Sequence, residues 1–341
     1  MRLAQIMAGA HLGGAELFFE RLSLGLHRAG ITVLPIIRRD AERAARLTSG
    51  GLSPVELRFG GPFDLLTRPR LARTLAEFAP RVAMSWMSRA TDHMPRGPFI
   101  HVGRLGGPYP LRHYRHCDHL VGNTHGLVAW FRANGWPETR THYLPNFVTD
   151  HAATVPVADL PPVIPPRRPR LLALGRLHPD KGFDILIQAL AALPSATLLI
   201  AGEGPERATL LHLTATLCLT DRVHFLGWRD DAGALLRAAD LFVCSSRREP
   251  LGNVVLEAWS AGCPVLATDA EGPRELIAPG SDGLLVPRED PAALAEAATT
   301  LLAEPARAAA LAAAGRQRFL AEFAEAPVLA RWLRFFETIP Q

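Results

Sequence analysis

Apolar residues recur along this chain in two alternating patterns, short continuous runs of strand length and longer stretches with helical spacing. Residues 3–7 form one such run, and residues 15–29 carry Leu17, Phe18, Leu22, Leu24 and Leu26 at helical spacing. Gly30 closes that helix and a second buried-type strand follows at 31–37. Between the first strand and the helix stands Ala8-Gly9-Ala10-His11-Leu12-Gly13-Gly14. Strand, glycine loop, helix and strand in this order open a doubly wound parallel sheet. The glycines do not spell GxGxxG, so a dinucleotide fingerprint is not supported. Gly13 and Gly14 before a helix either let an anion approach or simply make a tight turn.

The alternation continues with a weak strand near 55–59, a helix over 69–78, strands at 82–86 and 99–102, and a strand at 118–123 leading into a helix to 133. Ligands of such sheets gather at the carboxyl ends of strands, which singles out Gly13, Gly14, His101, Arg104, Asn123 and Asn146. Residues 155–169 then hold six prolines in fifteen positions. Proline fixes φ and cannot join a ladder, so this stretch reads as a semi-rigid connector. Beyond it, strands at 170–174, 197–201, 223–226, 241–244, 265–268 and 284–286 alternate with helices in a second βα sheet, without internal repeats. The predicted division is 1–160, 161–322, and a last helix over 323–341.

A length of 341 residues agrees with two domains, and no apolar run approaches the ~20 residues that cross a bilayer. The first residues enter a strand without the regions of a signal peptide, and four scattered cysteines form no CxxC pair. Both favour a soluble, cytoplasmic protein with reduced thiols. Residues 1–150 hold 19 arginines against 11 acids, a balance of +8, and the remainder balances at −4. A basic half suits an anionic partner, such as a phosphorylated substrate or phospholipid headgroups. It equally suits a chain that is merely rich in arginine. Nucleic acid ranks last, because no aromatic–basic interleaving appears.

Chemistry concentrates in the second half. Residues 245–264 pack a charged turn, a Leu251-Gly252-Asn253 step, a short helix and a Gly262-Cys263-Pro264 stop, with Glu249 in the turn and Glu257 on the helix. A helix starting near Asn253 aims backbone N–H groups back at the turn, which makes an anion site. An ordinary loop and helix start with solvated glutamates is the alternative. The chain has 37 basic residues, and Lys181 is the one lysine among them. A compact ammonium differs from a guanidinium in reach and geometry, and a close phosphate contact would explain its retention.

Five blocks carry a family resemblance: Gly175-Arg176 with Lys181-Gly182, Gly202-Glu203-Gly204-Pro205, Glu249 through Glu257, Gly262-Cys263-Pro264-Val265, and Gly272-Pro273-Arg274-Glu275-Leu276-Ile277. Together they resemble the retaining glycosyltransferases of family 4, and the glutamate pair is similar to that family's E-x7-E signature. Gly13–Glu16 and Leu144-Pro145-Asn146 agree more loosely. The resemblance implies the GT-B fold, two Rossmann-like domains facing across a cleft, with the last helix crossing back onto the first domain. A membrane-surface role for that amphipathic helix, which carries Leu329, Trp332, Leu333, Phe335 and Phe336, is the competing reading.

The resemblance further implies a nucleotide-diphosphate sugar as donor substrate, with no separate cofactor and no metal. Arg176 and Lys181 would hold the diphosphate, backbone around Leu251, Gly252 and Asn253 would bind phosphate or sugar, Glu249 the sugar hydroxyls and Glu257 the ribose. Glu249, Lys181, Arg176 and Arg104 are the catalytic candidates, and Gly13 and Gly14 join the donor-binding set. The acceptor would be a glycan or lipid-linked, anionic molecule of surface-polysaccharide or lipopolysaccharide synthesis, reached with peripheral contact at the inner membrane surface. One departure stands out. Where the family has a His-Gly pair, this chain reads His101-Val102-Gly103-Arg104-Leu105-Gly106-Gly107, so either Arg104 or His101 takes that place, or the role is absent. The missing pair keeps a non-catalytic sugar-nucleotide-binding protein open, and a GT-B sugar-nucleotide epimerase is the other alternative.

Overall fold

The computed structural model describes residues 1–340 apart from Leu12, Pro62, Phe63 and 155–167. Two compact units divide it, one of Met1–Phe147 with the C-terminal segment from Glu325, the other of Val148–Ala324. The first unit runs β1 (Arg2–Met7), α1 (Gly14–Arg28), β2 (Thr32–Arg38), α2 (Ala41–Ser49), β3 (Val55–Leu57), α3 (Thr67–Phe78), β4 (Val82–Trp86), α4 (Met87–Asp92), β5 (Ile100–Leu105), β6 (His119–Gly122), α5 (His125–Ala133) and β7 (Thr141–Tyr143). Its seven strands are parallel in the order β3-β2-β1-β4-β5-β6-β7. Leu3 and Met7 of β1 belong to one buried cluster and Ala4 and Ile6 to another. Period-two side chains buried on both faces explain why the strand reads as a continuous apolar run.

The second unit begins with α6 (His151–Thr154) and continues β8 (Arg170–Leu174), α7 (Phe183–Ala191), β9 (Thr197–Ala201), α8 (Arg207–Thr216), β10 (Val223–Gly227), α9 (Ala232–Ala238), β11 (Leu241–Cys244), α10 (Asn253–Ala261), β12 (Val265–Thr268), α11 (Glu271–Leu276), β13 (Leu284–Val286), α12 (Pro291–Ala303) and α13 (Pro305–Arg318). Six parallel strands take the order β10-β9-β8-β11-β12-β13. The last helix, α14 (Glu325–Thr338), belongs to the first unit. It buries Val328, Trp332, Phe335 and Phe336 in the same cluster as Phe19 and Leu22 of α1. Gly25 lets the two helices come close, since a Cβ there would lie 3.1 Å from Leu329. Arg28 pairs with Glu325, and Arg81 donates to the carbonyls of Phe336 and Ile339. The apolar face of the tail is therefore used inside the protein, which overturns the membrane-surface reading of that helix. Among the described residues no helix is long and apolar enough to cross a membrane.

The units part at Phe147/Val148, earlier than the proline-rich stretch on which the sequence puts the boundary; most of that stretch lies outside the described residues. Val148 is already in the second unit's core, and Asp150 pairs with Arg316 of α13 at 2.7 Å, so burial and charge draw this segment across before the prolines begin. The pattern also passes over α2, α4 and β7. Helix α2 turns Arg43 and Leu47 inward, and a buried arginine breaks the apolar spacing that would have announced it. Its start is nonetheless capped, Asp40 accepting from the Arg43 N–H at 3.0 Å.

Candidate functional site

In each sheet the strand order reverses at one point, between β1 and β4 in the first and between β8 and β11 in the second. Open parallel sheets bind ligands outside the carboxyl ends of strands at such points. In the second unit the exits of β8 and β11 are the loops carrying Arg176 and Lys181, and Glu249 through Asn253. Lys181 Nζ and Glu249 Oε2 form an ion pair between the two loops. Burial works against the charge of Lys181, but Glu249, Cys244 and Asp180 more than offset it and raise its pKa. Ser246 Oγ donates to the same Glu249 oxygen at 3.3 Å.

Backbone contacts fuse these loops. The N–H groups of Arg247 and Arg248 both donate to the Asp180 carbonyl, at 2.8 and 3.1 Å, and Ser245 Oγ donates to the Lys181 carbonyl at 3.0 Å. Gly182, at φ 60°, is in the left-handed region, and a Cβ there would meet the Ser245 oxygen at 2.2 Å. Arg247 forks onto Asp184 with two contacts of 2.7 Å and also pairs with Glu289. The turn at Gly272 closes over the other side, its N–H donating to the Glu249 carbonyl at 2.7 Å. Gly252, at φ 86°, stands at the N-cap of α10 and has no side chain to cap the helix. Asn253 is the first residue of α10, and Glu257 lies one turn further along the same face, half-buried. Leu251 is buried behind them. Arg176 is exposed, with no ion pair among the described residues.

The first unit is built differently. Arg104 ends β5 as a buried side chain without a carboxylate partner among the described residues. Its guanidinium lies 5.6 Å from the Phe18 ring and 5.3 Å from the Trp86 ring. It donates to the Leu105 carbonyl and, at 2.5 Å, to Asn146 Oδ1, while its Nε has no partner. Burial pushes its pKa down to about 9, with Tyr109 pulling the other way, so the group stays charged at neutral pH. Asn146 is thus joined to Arg104. Asn123 is buried beyond β6 with an unpartnered Oδ1. His101 is excluded from this end: it stands at the opposite end of β5 from Arg104, buried, and 2.8 Å from Ser85 Oγ.

At the glycine loop the anion expected near Gly13 and Gly14 is already present as a side chain. Glu16 is buried and accepts from the Ala10 N–H at 2.9 Å. A Cβ on Gly9 or Gly13 would lie 2.1 or 2.4 Å from its carboxylate. A phosphate at the Gly13–Gly14 helix start would stand beside this like charge. Arg43, missed along with α2, braces the loop through the carbonyls of Ala10 and His11 at 2.8 and 2.9 Å and through Glu20 at 3.1 Å. A lone arginine in a polar stretch gives no signal of that role. The serines at 245 and 246 were legible only as part of a charged turn.

Residues 161–318 match the model of the family described as glycosyl transferases group 1. Lipopolysaccharide core biosynthesis glycosyltransferase LpsE of Rhizobium meliloti (strain 1021) is 34% identical over 339 residues, covering 96% of this chain and 97% of that protein. The chain belongs to the group 1 glycosyl transferases. A second relative of this glycosyltransferase, LpsD of the same organism, is 35% identical over 99% of the chain and 98% of its own length. Among solved structures, Anabaena HepE in complex with UDP superposes on the glycosyltransferase with a TM-score of 0.86 at 21% identity, covering 99% of this chain and all of that one. WaaG, a glycosyltransferase involved in lipopolysaccharide biosynthesis, gives 0.71 at 18% identity over 97% and 98%. The fold is GT-B, with two Rossmann-like parallel-sheet domains.

Proposed function

We propose that this glycosyltransferase moves a hexose, with retention of configuration and in the manner of family 4, from a nucleotide-diphosphate sugar to an anionic glycan or lipid-linked acceptor in lipopolysaccharide core or surface-polysaccharide synthesis. The observation that carries the reading is the pairing of Lys181 with Glu249 across the two strand exits at the second sheet's switch point. A fixed cation and the start of α10 converge where a diphosphate would lie, and a carboxylate stands beside them for sugar hydroxyls. Arg176 and Lys181 offset charge on the departing diphosphate, backbone at Leu251, Gly252 and Asn253 takes phosphate or sugar oxygens, and Glu257 holds the ribose. The departing diphosphate helps remove the acceptor proton on the same face.

Arg104 is the first unit's catalytic candidate, a buried and uncompensated cation at a strand's carboxyl end, suited to negative charge that develops during transfer. Gly13 and Gly14 contribute by backbone only, because Glu16 occupies the space beside them. UDP in HepE supports a nucleotide-sugar donor. Transfer needs no metal in this proposal, which the chelator comparison below tests. The basic balance of residues 1–150 supports an anionic acceptor and peripheral contact with the cytoplasmic face of the membrane. Family membership speaks for transfer, against the binding-protein and epimerase readings.

Turnover of UDP-, GDP- and ADP-sugars with a glycan acceptor, with and without chelator, tests the proposal. A charge-assisted hydrogen bond contributes roughly 1.5–3 kcal/mol. Glu257→Ala and Lys181→Ala should therefore each lower transfer at limiting donor by about ten- to a hundredfold with the fold intact. Wild-type rates in both variants would overturn the site assignment, and loss of activity on chelation would overturn metal independence.

A further inference from the structure

A cavity of about 670 Å³ opens in the first unit at the amino ends of β5, β6 and β7. His101 at the start of β5, Asp118 just before β6 and Arg140 just before β7 mark the place. Arg104 and Asn146 lie at the other ends of these strands, so the cavity is separate from the groups discussed above. The stretch of β5 from His101 to Arg104 alone spans roughly 10 Å.

The floor is fixed and polar. Thr91, His101 and Cys117 are buried there, and Ser85 Oγ links His101 Nε2 at 2.8 Å to Thr91 Oγ1 at 2.9 Å. The rim is arginine. Arg68, Arg96, Arg112, Arg115 and Arg140 line it from four separate stretches of chain. Two carboxylates share the cavity, and both are engaged. Asp92 is 2.8 Å from His113 Nδ1, and Asp118 accepts from the His101 N–H at 2.8 Å. None of the five guanidiniums pairs with a carboxylate among the described residues.

Five cations around one concavity outnumber the two carboxylates that line it, so its lining is net positive. A multiply charged anion between them offsets that charge, and the planar fork of arginine matches phosphate oxygens in pairs. The volume is that of a small-ligand pocket, which typically measures about 300–1,000 Å³. A merely arginine-rich surface would leave its cations spread over convex ground or matched with neighbouring acids.

We propose that this cavity is a second binding site of the protein, separate from the nucleotide-sugar site, for a ligand that presents two or more phosphate groups. Those phosphates belong either to a soluble phosphorylated molecule or to clustered lipid headgroups, and the chemistry recognised is the same. The site does not depend on the donor loops of the second unit, so its test stands apart from that of the transfer reaction.

Inorganic tripolyphosphate is titrated calorimetrically into the full chain at about 0.15 M salt, where exposed charges beyond ~8 Å are screened. The comparison runs in a Lys181→Ala background, which removes the fixed cation of the donor site, and covers that background alone, with Arg112→Gln/Arg140→Gln, and with Arg331→Gln/Arg334→Gln, which removes two arginines of the same unit outside the cavity. The expected result is binding in that background that Arg112→Gln/Arg140→Gln weakens at least tenfold and that Arg331→Gln/Arg334→Gln leaves within twofold, at unchanged melting temperature. Sedimentation with vesicles of phosphatidylcholine and 30% phosphatidylglycerol separates the sources. Capture that tripolyphosphate competes away, and that Arg112→Gln/Arg140→Gln loses, assigns the site to headgroups. Tripolyphosphate binding without capture assigns it to a soluble ligand. Equal weakening in Arg331→Gln/Arg334→Gln, or no binding in the Lys181→Ala background, would overturn the proposal.

Discussion

The two sheets reverse their strand order in the same way, yet the groups at their strand exits obey opposite electrostatic rules. In the second unit the held charges near the switch point are met by counter-charges, Lys181 by Glu249 and Arg247 by Asp184 and Glu289, while exposed Arg176 has no ion pair among the described residues. The loops that carry these groups are fused backbone to backbone. In the first unit Arg104 is buried between Phe18 and Trp86 with no carboxylate and an orphaned Nε. Removing a charge from water costs several kcal/mol unless a partner offsets it. The second unit thus holds a site whose shape is set by its own contacts, and the first holds an unmet demand for negative charge.

The largest effect should come from breaking the fused loops. Gly202, at φ 148°, leaves β9 so close to the β8 exit that a Cβ would lie 1.9 Å from the Gly175 oxygen. Gly202→Ala should cost on the order of 3 kcal/mol or more, seen as a large drop in melting temperature or insoluble protein. Gly106→Ala, beyond β5 in the first unit, meets nothing within 4 Å and should stay within about 0.5 kcal/mol. Equal melting of the two variants would show that the second unit's loops are not held by close backbone contact.

Next in size is a pH effect in the first unit. Burial lowers the pKa of His101 from its ordinary 6.5 to about 4, although the His116 carbonyl and Asp118 pull it upward. Between these two values the unfolded chain binds a proton that the folded chain refuses, so stability falls as pH drops through that window and is fully present above it. The window corresponds to at most about 3 kcal/mol. Half-buried His142, also lowered to about 4, adds to the wild-type slope. The test is the difference: His101→Gln should flatten the decline of melting temperature between pH 7 and pH 4.5, and an unchanged slope would show that His101 does not contribute.

The second unit's ion pair comes third. Glu249→Ala strands the Lys181 ammonium, which is mostly buried, and should cost about 2 kcal/mol. Adding Lys181→Met should recover part of that loss, since an apolar side chain of similar length leaves no charge to solvate. A double-mutant cycle in thermal or urea unfolding measures the coupling, and strict additivity would mean that the pair is not formed in solution.

This contrast also explains what could be read from the sequence. The contacts at the second unit's strand exits were legible because their constraints are local and stereotyped: Gly182 and Gly202 need left-handed or crowded backbone, and Lys181 stands alone among 36 arginines. Alternating apolar runs revealed the parallel sheets for the same reason, since each strand carries its own period. The arrangement around Arg104 and the glycine loop of the first unit depends on contacts far apart in sequence. Arg104 is defined by Phe18, Trp86 and Asn146, and the glycine loop by Arg43 on a helix whose apolar face is one leucine and one arginine. No local pattern announces either. The family resemblance left His101 and Arg104 as equals, and only the direction of β5 places them at opposite ends.

The smallest effect on stability should have the opposite sign. Arg104→Met keeps a long side chain between Phe18 and Trp86 and removes a buried cation that lacks a counter-charge. The substitution leaves the Leu105 carbonyl and Asn146 short of one donor each, which offsets part of the gain. The net change should be a stabilisation of on the order of 1 kcal/mol. Transfer should nonetheless fall by roughly a hundredfold if the charge of Arg104 serves the reaction, the size of effect seen when one preorganised electrostatic contact is lost. Arg104→Lys, a compact ammonium without the fork, should recover part of the rate. Higher stability with lower activity is the signature of a cation kept for its charge and against the interest of the fold. A variant that is less stable and equally active would instead make Arg104 a packing residue, and the first unit's site would have to be sought elsewhere.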